Sequence, residues 1–254
     1  MRYIKNCALT PWWSWRFEHP EIWTLSNFPD MLLEHGYLMP GIRPVELSQG
    51  SELKVQRYSG LADYLSTWQA MKDFTASRTE NTPDEIWLLQ HTPVYTQGIA
   101  GKPEHLLHNN GITVIRTDRG GQITYHGPGQ IVAYLLLDMR RLKLGVRELV
   151  RRMEGAVVDL LRDYRIGAEG RVDAPGVYVD GAKIAALGLK IKNGYCYHGL
   201  ALNVDMDLSP FAAINPCGYS GLQVTQTRDL GVAAGLETLS GELAGKLQMR
   251  LFGI

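Results

Sequence analysis

Two dipeptides constrain the geometry of this chain more than any other feature in it, Asp180-Gly181 and Asn193-Gly194. Each sets residues that tolerate a left-handed backbone between apolar runs, the chemistry of a two-residue hairpin turn. Together they cut the region after residue 175 into three β-like runs, 176–179, 182–192 and 195–204, and predict a β-meander.

Upstream, the runs 84–95, 112–116, 122–126 and 131–138 read as strands, separated by glycine-rich turns at Gly120-Gly121 and Gly127-Pro128-Gly129. That spacing favours an antiparallel or mixed sheet over a βαβ array. Leu61, Tyr64, Leu65, Trp68, Met71 and Phe74 recur at helical spacing and predict a helix up to about Ser77. Leu149, Val150, Met153, Val157, Leu160, Leu161 and Tyr164 form the apolar stripe of a second helix, from about Val146 to Tyr164, that should cover one face of the sheet. Leu236, Leu239, Leu243, Leu247 and Leu251 predict a closing helix.

Residues 1–51 follow neither periodicity, with Trp12, Trp13, Trp15 and Trp23 scattered among Pro, Arg and Asn. They are expected to be an N-terminal extension outside the domain. An artefact of start-site choice, with Met39 as the alternative initiator, is favoured over an irregular arm or a targeting peptide. Residues 52–254 are expected to form the catalytic domain. The hydrophobic content of 45% supports a substantial core, and a net charge of +0 leaves no global attraction to nucleic acid or an anionic membrane. The three cysteines, Cys7, Cys196 and Cys217, are too sparse for a disulfide framework and contain no CxxC pair, which fits a reducing cytosol. No apolar run approaches the ~20 residues of a membrane span, so a cytoplasmic location is expected.

Cys217 lies in Asn215-Pro216-Cys217-Gly218-Tyr219, where the chain must turn and can present a thiol to a pocket. The alternative is an inert packing thiol, the more natural reading of Cys196 within a strand. A thiol can be activated by a histidine or a lysine. Lys183 stands at the start of an otherwise apolar strand, facing either a polar site or, as an edge gatekeeper, water. The stretch from Arg119 to Gln130 lacks both a Walker A sequence and a dinucleotide fingerprint. It reads either as tight hairpin geometry or as bare backbone against which an apolar ligand can lie. His126 and His198, each between a tyrosine and a glycine, are a shared pocket wall or structural hydrogen-bonders, and a third metal-type ligand in recognisable spacing is missing. Arg140, Arg141, Lys143, Arg147, Arg151 and Arg152 form a solvated helix face or a docking patch for an acidic partner.

These blocks in their order resemble the lipoyl(octanoyl) transferase family. The resemblance runs from about Glu52 to Gly221 through Arg119–His126, Gly127–Gln130, Arg140–Leu149, Asp173–Tyr178, His198–Asp205 and Asn215–Tyr219. It implies an α/β (α+β) fold like that of biotin and lipoate protein ligases, a mixed, largely antiparallel sheet with a smaller second sheet and flanking helices. It assigns a thioester-forming role to Cys217 and an acid/base role to Lys183. Acyl binding falls on Arg119, Gly120, Gly121, Gln122, Ile123, Thr124, Tyr125 and His126, on Ala186, Leu187 and Gly188, and on Gly199, Leu200 and Ala201. Ala186 departs from a serine common there in the family. The implied reaction moves octanoyl from acyl carrier protein to a lysine of lipoyl domains, those of 2-oxoacid dehydrogenases and of the glycine cleavage H protein, without cofactor, metal, nucleic acid or membrane.

Overall fold

The computed structural model describes residues 44–49, 53–108 and 110–253. Along them run β1 (Pro44–Gln49), β2 (Leu53–Ala62), α1 (Tyr64–Ser77), β3 (Asp84–His91), β4 (Val94–Gln97), β5 (Val114–Arg116), β6 (Ile123–His126), β7 (Gln130–Asp138), α2 (Val146–Asp163), β8 (Glu169–Gly170), β9 (Gly176–Val179), β10 (Ala182–Lys192), β11 (Tyr195–Asn203) and α3 (Leu236–Phe252). The large sheet has the order β1-β2-β3-β7-β11-β10-β9-β8, and a small one the order β5-β4-β6. Only the β2–β3 and β4–β5 pairs among these strands are parallel. This is the mixed, largely antiparallel architecture expected.

The meander forms where the two dipeptides place it. Asp180 and Gly181 take φ of 48° and 81°, and Asn193 and Gly194 take 51° and 81°, so both central residues of each turn are left-handed. Those angles match the twist of the flanking strands and pair β9, β10 and β11 antiparallel, with a register shift against β9 between Lys183 and Ala185.

β7 is buried along its whole length because both faces of the sheet are covered. Ile131, Ala133, Leu135 and Leu137 face the core shared with Leu149, Met153, Val157 and Leu160 of α2 and Leu239, Leu243 and Leu247 of α3. Alternation sends Val132 and Tyr134 to the opposite face, where the cavity described below lies.

Three features differ from the sequence expectations. Leu61 belongs to β2 and not to the first helix, which starts at Tyr64 because the Asp63 side chain caps it by accepting the Ser66 N–H at 2.8 Å. The run 84–95 is two strands in two sheets, broken at Thr92-Pro93, where proline has no N–H to give a ladder. The large sheet begins at Pro44, so β1 pairs with β2 from within the segment assigned to an extension. The readings of residues 1–43 lie outside the described residues.

Arg78 and Asp84 form a fully buried ion pair at one end of this sheet, and Asp84 also accepts the Asp138 N–H at 2.8 Å, tying β3 to β7. Removing Arg78 leaves the buried Asp84 facing only the more distant Arg141, 3.7 Å away. Arg78→Met should therefore cost about 3–5 kcal/mol of stability in urea unfolding, and a loss below 1 kcal/mol would contradict the ion pair's structural role.

Candidate active site

Cys217 sits in the turn Pro216–Gly218 with φ 56° and ψ 17°, left-handed values that a side chain adopts only under constraint. Gly218 follows at φ 84°, and the Gly218 N–H donates to the Asn215 carbonyl at 2.9 Å, closing the elbow. The thiol is half-buried and free. It lies 2.9 Å from Lys183 Nζ.

Lys183 is 3% exposed, which removes the reading of a water-facing gatekeeper. Its backbone is pinned on one side by the chain that follows the cysteine: Lys183 N–H donates to Gln223 O at 2.9 Å and Thr225 N–H to Lys183 O at 3.0 Å. Its ammonium donates to Pro175 O at 3.2 Å and sits 5.0 Å from the centre of the Tyr178 ring. Burial works against the ammonium, but the charge and hydrogen bond of Cys217, with Tyr178, outweigh it and raise Lys183 above the usual lysine range. Gly176 makes room for this side chain. With φ 149°, its α-carbon is so placed that a Cβ would stand 2.9 Å from both the Ala185 carbonyl oxygen and Lys183 Cε, and 3.0 Å from Nζ.

A cavity of about 350 Å³ opens beside Cys217. Of the expected acyl-binding residues, Arg119, Gly120, Gly121, Gln122, Thr124, His126, Ala186, Leu187, Gly188, Gly199, Leu200 and Ala201 line it. Ala186 pairs with Ala201 and Gly188 with Gly199 across β10 and β11, so two adjacent strands offer nearly bare backbone. At Gly199 no side chain fits, since a Cβ would meet the Ala133 carbonyl oxygen at 1.9 Å. Ile123 and Tyr125, also in the expected set, do not line this cavity. The alternation of β6 turns them away, into a second apolar cluster with Tyr95, Met206 and Phe211.

The buried Arg119 guanidinium is spent on backbone carbonyls and on the Thr96 hydroxyl, to which its Nε donates at 3.1 Å and its Nη2 at 2.9 Å. It donates to Gly120 O and Gln122 O, each at 2.8 Å, and to Thr96 O at 2.5 Å, fastening the glycine loop to β4. His126 is held by Gln130 Oε1 at 2.8 Å, and burial drives its pKa down to about 3. His198 Nε2 lies 3.0 Å from Asp118 Oδ1, which also accepts the Trp68 indole N–H at 2.9 Å. Both histidines line the cavity as neutral wall, and the described residues hold no group of three metal-type side chains. Cys196 is buried in the core, where desolvation pushes its thiol well up. Within the arginine cluster, Arg151 and Arg152 pair with Glu148, Arg140 with Asp138, and Arg141 donates to Glu80 O and Thr82 O at 2.8 and 2.9 Å.

Tyr64, Asp118, Tyr134, Val146 and Val150 were given no site role by sequence reasoning, nor were Ala174, Pro175 and Gly176 within the block Asp173–Tyr178, yet all line or brace the site. Val150 and Tyr64 showed only helical periodicity, and Asp118 carried no signal beyond its place before Arg119.

A model of the lipoyl protein ligase A/B catalytic domain matches residues 63–249. The octanoyltransferase of Nitrosospira multiformis is 75% identical over 215 residues, 83% of this chain and 99% of that protein. That of Chromobacterium violaceum is 59% identical over 198 residues, 78% of this chain and 96% of that protein. A bi-partite lipoate protein ligase from Thermoplasma acidophilum shares the fold, with a TM-score of 0.62 at 17% identity over 80% of this chain and 84% of that one. Fold and site thus define a lipoyl protein ligase A/B catalytic domain. Within that class the chain belongs to the octanoyltransferase family, whose members are acyltransferases. No helix among the described residues is long and apolar enough to cross a membrane.

Gly176→Ala tests the packing around Lys183. Its Cβ must push the ammonium away from the thiol, so alkylation of Cys217 by iodoacetamide should slow about tenfold, the equivalent of about 1.4 kcal/mol of lost attraction. An unchanged rate in a folded variant would contradict this geometry.

Proposed function

We propose that this octanoyltransferase works through a thioester on Cys217, taking octanoyl from the phosphopantetheine thiol of acyl carrier protein and passing it to a lysine of a lipoyl domain. The acceptors are the lipoyl domains of 2-oxoacid dehydrogenases and the glycine cleavage H protein. The observation that carries this reading is the 2.9 Å contact between Lys183 Nζ and Cys217 Sγ beside a cavity floored with glycine and alanine.

In the first step the Cys217 thiolate attacks the thioester carbonyl and a new C–S bond forms. The old C–S bond breaks, and Lys183 gives its proton to the departing phosphopantetheine thiolate. Octanoyl is now on Cys217 and Lys183 is a neutral amine. In the second step the acceptor lysine amine attacks the thioester carbonyl, Lys183 takes the proton this nitrogen loses, and Cys217 leaves as a thiolate. The product is an amide, and the thiolate–ammonium pair is restored. One thioester replaces another and then yields an amide, so neither half-reaction calls for ATP.

Electrostatics supports this alternation. In the free enzyme Cys217 raises Lys183 against the opposing effect of burial. Acylation removes the sulfur's charge while burial remains, so the Lys183 pKa should fall and the amine become available to the incoming nucleophile. The residues named here all lie within 52–254, to which we assign the activity, and a free reacting thiol suits the cytoplasm.

Mixing the enzyme with octanoyl carrier protein should give an octanoyl adduct by intact mass that maps to Cys217 and disappears in Cys217→Ala. Lys183→Arg keeps a cation beside the sulfur but cannot act as a base. It should still accept octanoyl, more slowly because the departing thiolate must take its proton from water, while transfer to a lipoyl domain falls about 10²–10⁴-fold, the usual worth of general acid–base catalysis. Transfer that survives Cys217→Ala and depends on ATP would overturn the reading.

A further inference from the structure

Glu154 is a carboxylate buried at 9% exposure midway along α2, on an element that supplies none of the reacting groups. Its Oε1 accepts the Gly176 N–H at 2.8 Å. A Cβ on Gly170 would come within 2.8 Å of its Oε2, so the carboxylate is enclosed on that side as well.

The Gly176 N–H and the Pro175 carbonyl belong to one peptide unit. The described residues contain no cis peptide, so that unit is trans and its N–H and C=O point in opposite directions. Glu154 holds the N–H end, and Lys183 Nζ donates to the carbonyl end at 3.2 Å. Lys183 Nζ then reaches Cys217 Sγ at 2.9 Å. Carboxylate, peptide, ammonium and sulfur therefore form one hydrogen-bonded chain, with negative charge at the far end. A carboxylate on the N–H polarises the peptide and strengthens its carbonyl as an acceptor for the ammonium.

We propose that Glu154 is a positioning residue for acyl transfer, acting through the Pro175–Gly176 peptide to seat the Lys183 ammonium against Cys217. The proposal rests on the reading of Lys183 and Cys217 as the reacting pair. Burial raises the Glu154 carboxyl above its ordinary range, and the Gly176 N–H and the charge of Lys183 oppose that rise without cancelling it. The other groups around Lys183 are Tyr178 and, on the same ring, Arg171, and neither contacts the peptide's N–H.

The test compares Glu154→Gln and Glu154→Ala in the full chain, with octanoyl carrier protein as donor and a lipoyl domain as acceptor. Glutamine can accept the Gly176 N–H without the charge, and charge-assisted bonds are about twice as strong as neutral ones. Glu154→Gln should lose about fivefold in kcat and Glu154→Ala more than tenfold. Neither should change KM for the donor, and both should alkylate more slowly at Cys217 in proportion. If Glu154→Ala does not fold, the kcat and alkylation rate of Glu154→Gln decide. Wild-type kcat and alkylation in the folded variants, with only melting temperature lowered, would overturn the proposal and leave Glu154 a structural residue. A wild-type enzyme that forms no octanoyl adduct on Cys217 would overturn the underlying reading itself.

Discussion

An ammonium held against a thiol in a nearly closed setting is the constraint that the rest of this structure serves. Lys183 is 3% exposed, and a charge there is tolerable only if every direction supplies compensation. The sulfur, the Pro175 carbonyl and the face of Tyr178 do so, and the strands around them are arranged to leave the space. Gly176 gives up its side chain to Lys183, Cys217 adopts a left-handed backbone to aim its sulfur, and residues 223–225 bond the Lys183 backbone from the cysteine's side. The elbow and the meander are thereby one unit, although 34 residues separate lysine from cysteine.

The same economy shapes the cavity. An acyl chain offers no hydrogen bonds, so its site is best built from backbone whose own groups are already paired within a sheet. β10 and β11 provide this through the Ala186–Ala201 and Gly188–Gly199 pairs, and Arg119 uses its donors on carbonyls of the loop and of β4. Two polar side chains of the wall are held by their neighbours, His126 by Gln130 and Tyr134 by His91 at 2.7 Å. Burial lowers the His91 pKa to about 4 and that of His126 to about 3, so both imidazoles are neutral at neutral pH.

What was legible in the sequence was local. Asp180-Gly181 and Asn193-Gly194 announced their turns because left-handed backbone selects those residues, and α2 and α3 announced themselves through periodic leucines and valines. Lys183 stood out because a charge in an apolar strand demands a reason, and the elbow around Cys217 because proline and glycine bracket it. Features that depend on distant partners were not legible. The split of 84–95 between two sheets, the side of β6 on which Ile123 and Tyr125 fall, and the partnership of Asp118 with His198 are settled only by tertiary packing. Glu154 is the extreme case, since on a helical wheel it is one more polar residue of an amphipathic helix, and its meaning comes from a peptide 22 positions away.

Proton exchange between Lys183 and Cys217 is the centre of this account, and following the Lys183 ammonium by NMR in ¹⁵N-lysine-labelled enzyme, with Lys183→Arg for assignment, tests it most directly. Lys183 should titrate above the ordinary lysine range in the free enzyme and move down once octanoyl occupies Cys217, because the sulfur's charge is gone and burial is not. A Lys183 that titrates at the same pH in the free and acylated enzyme would contradict it.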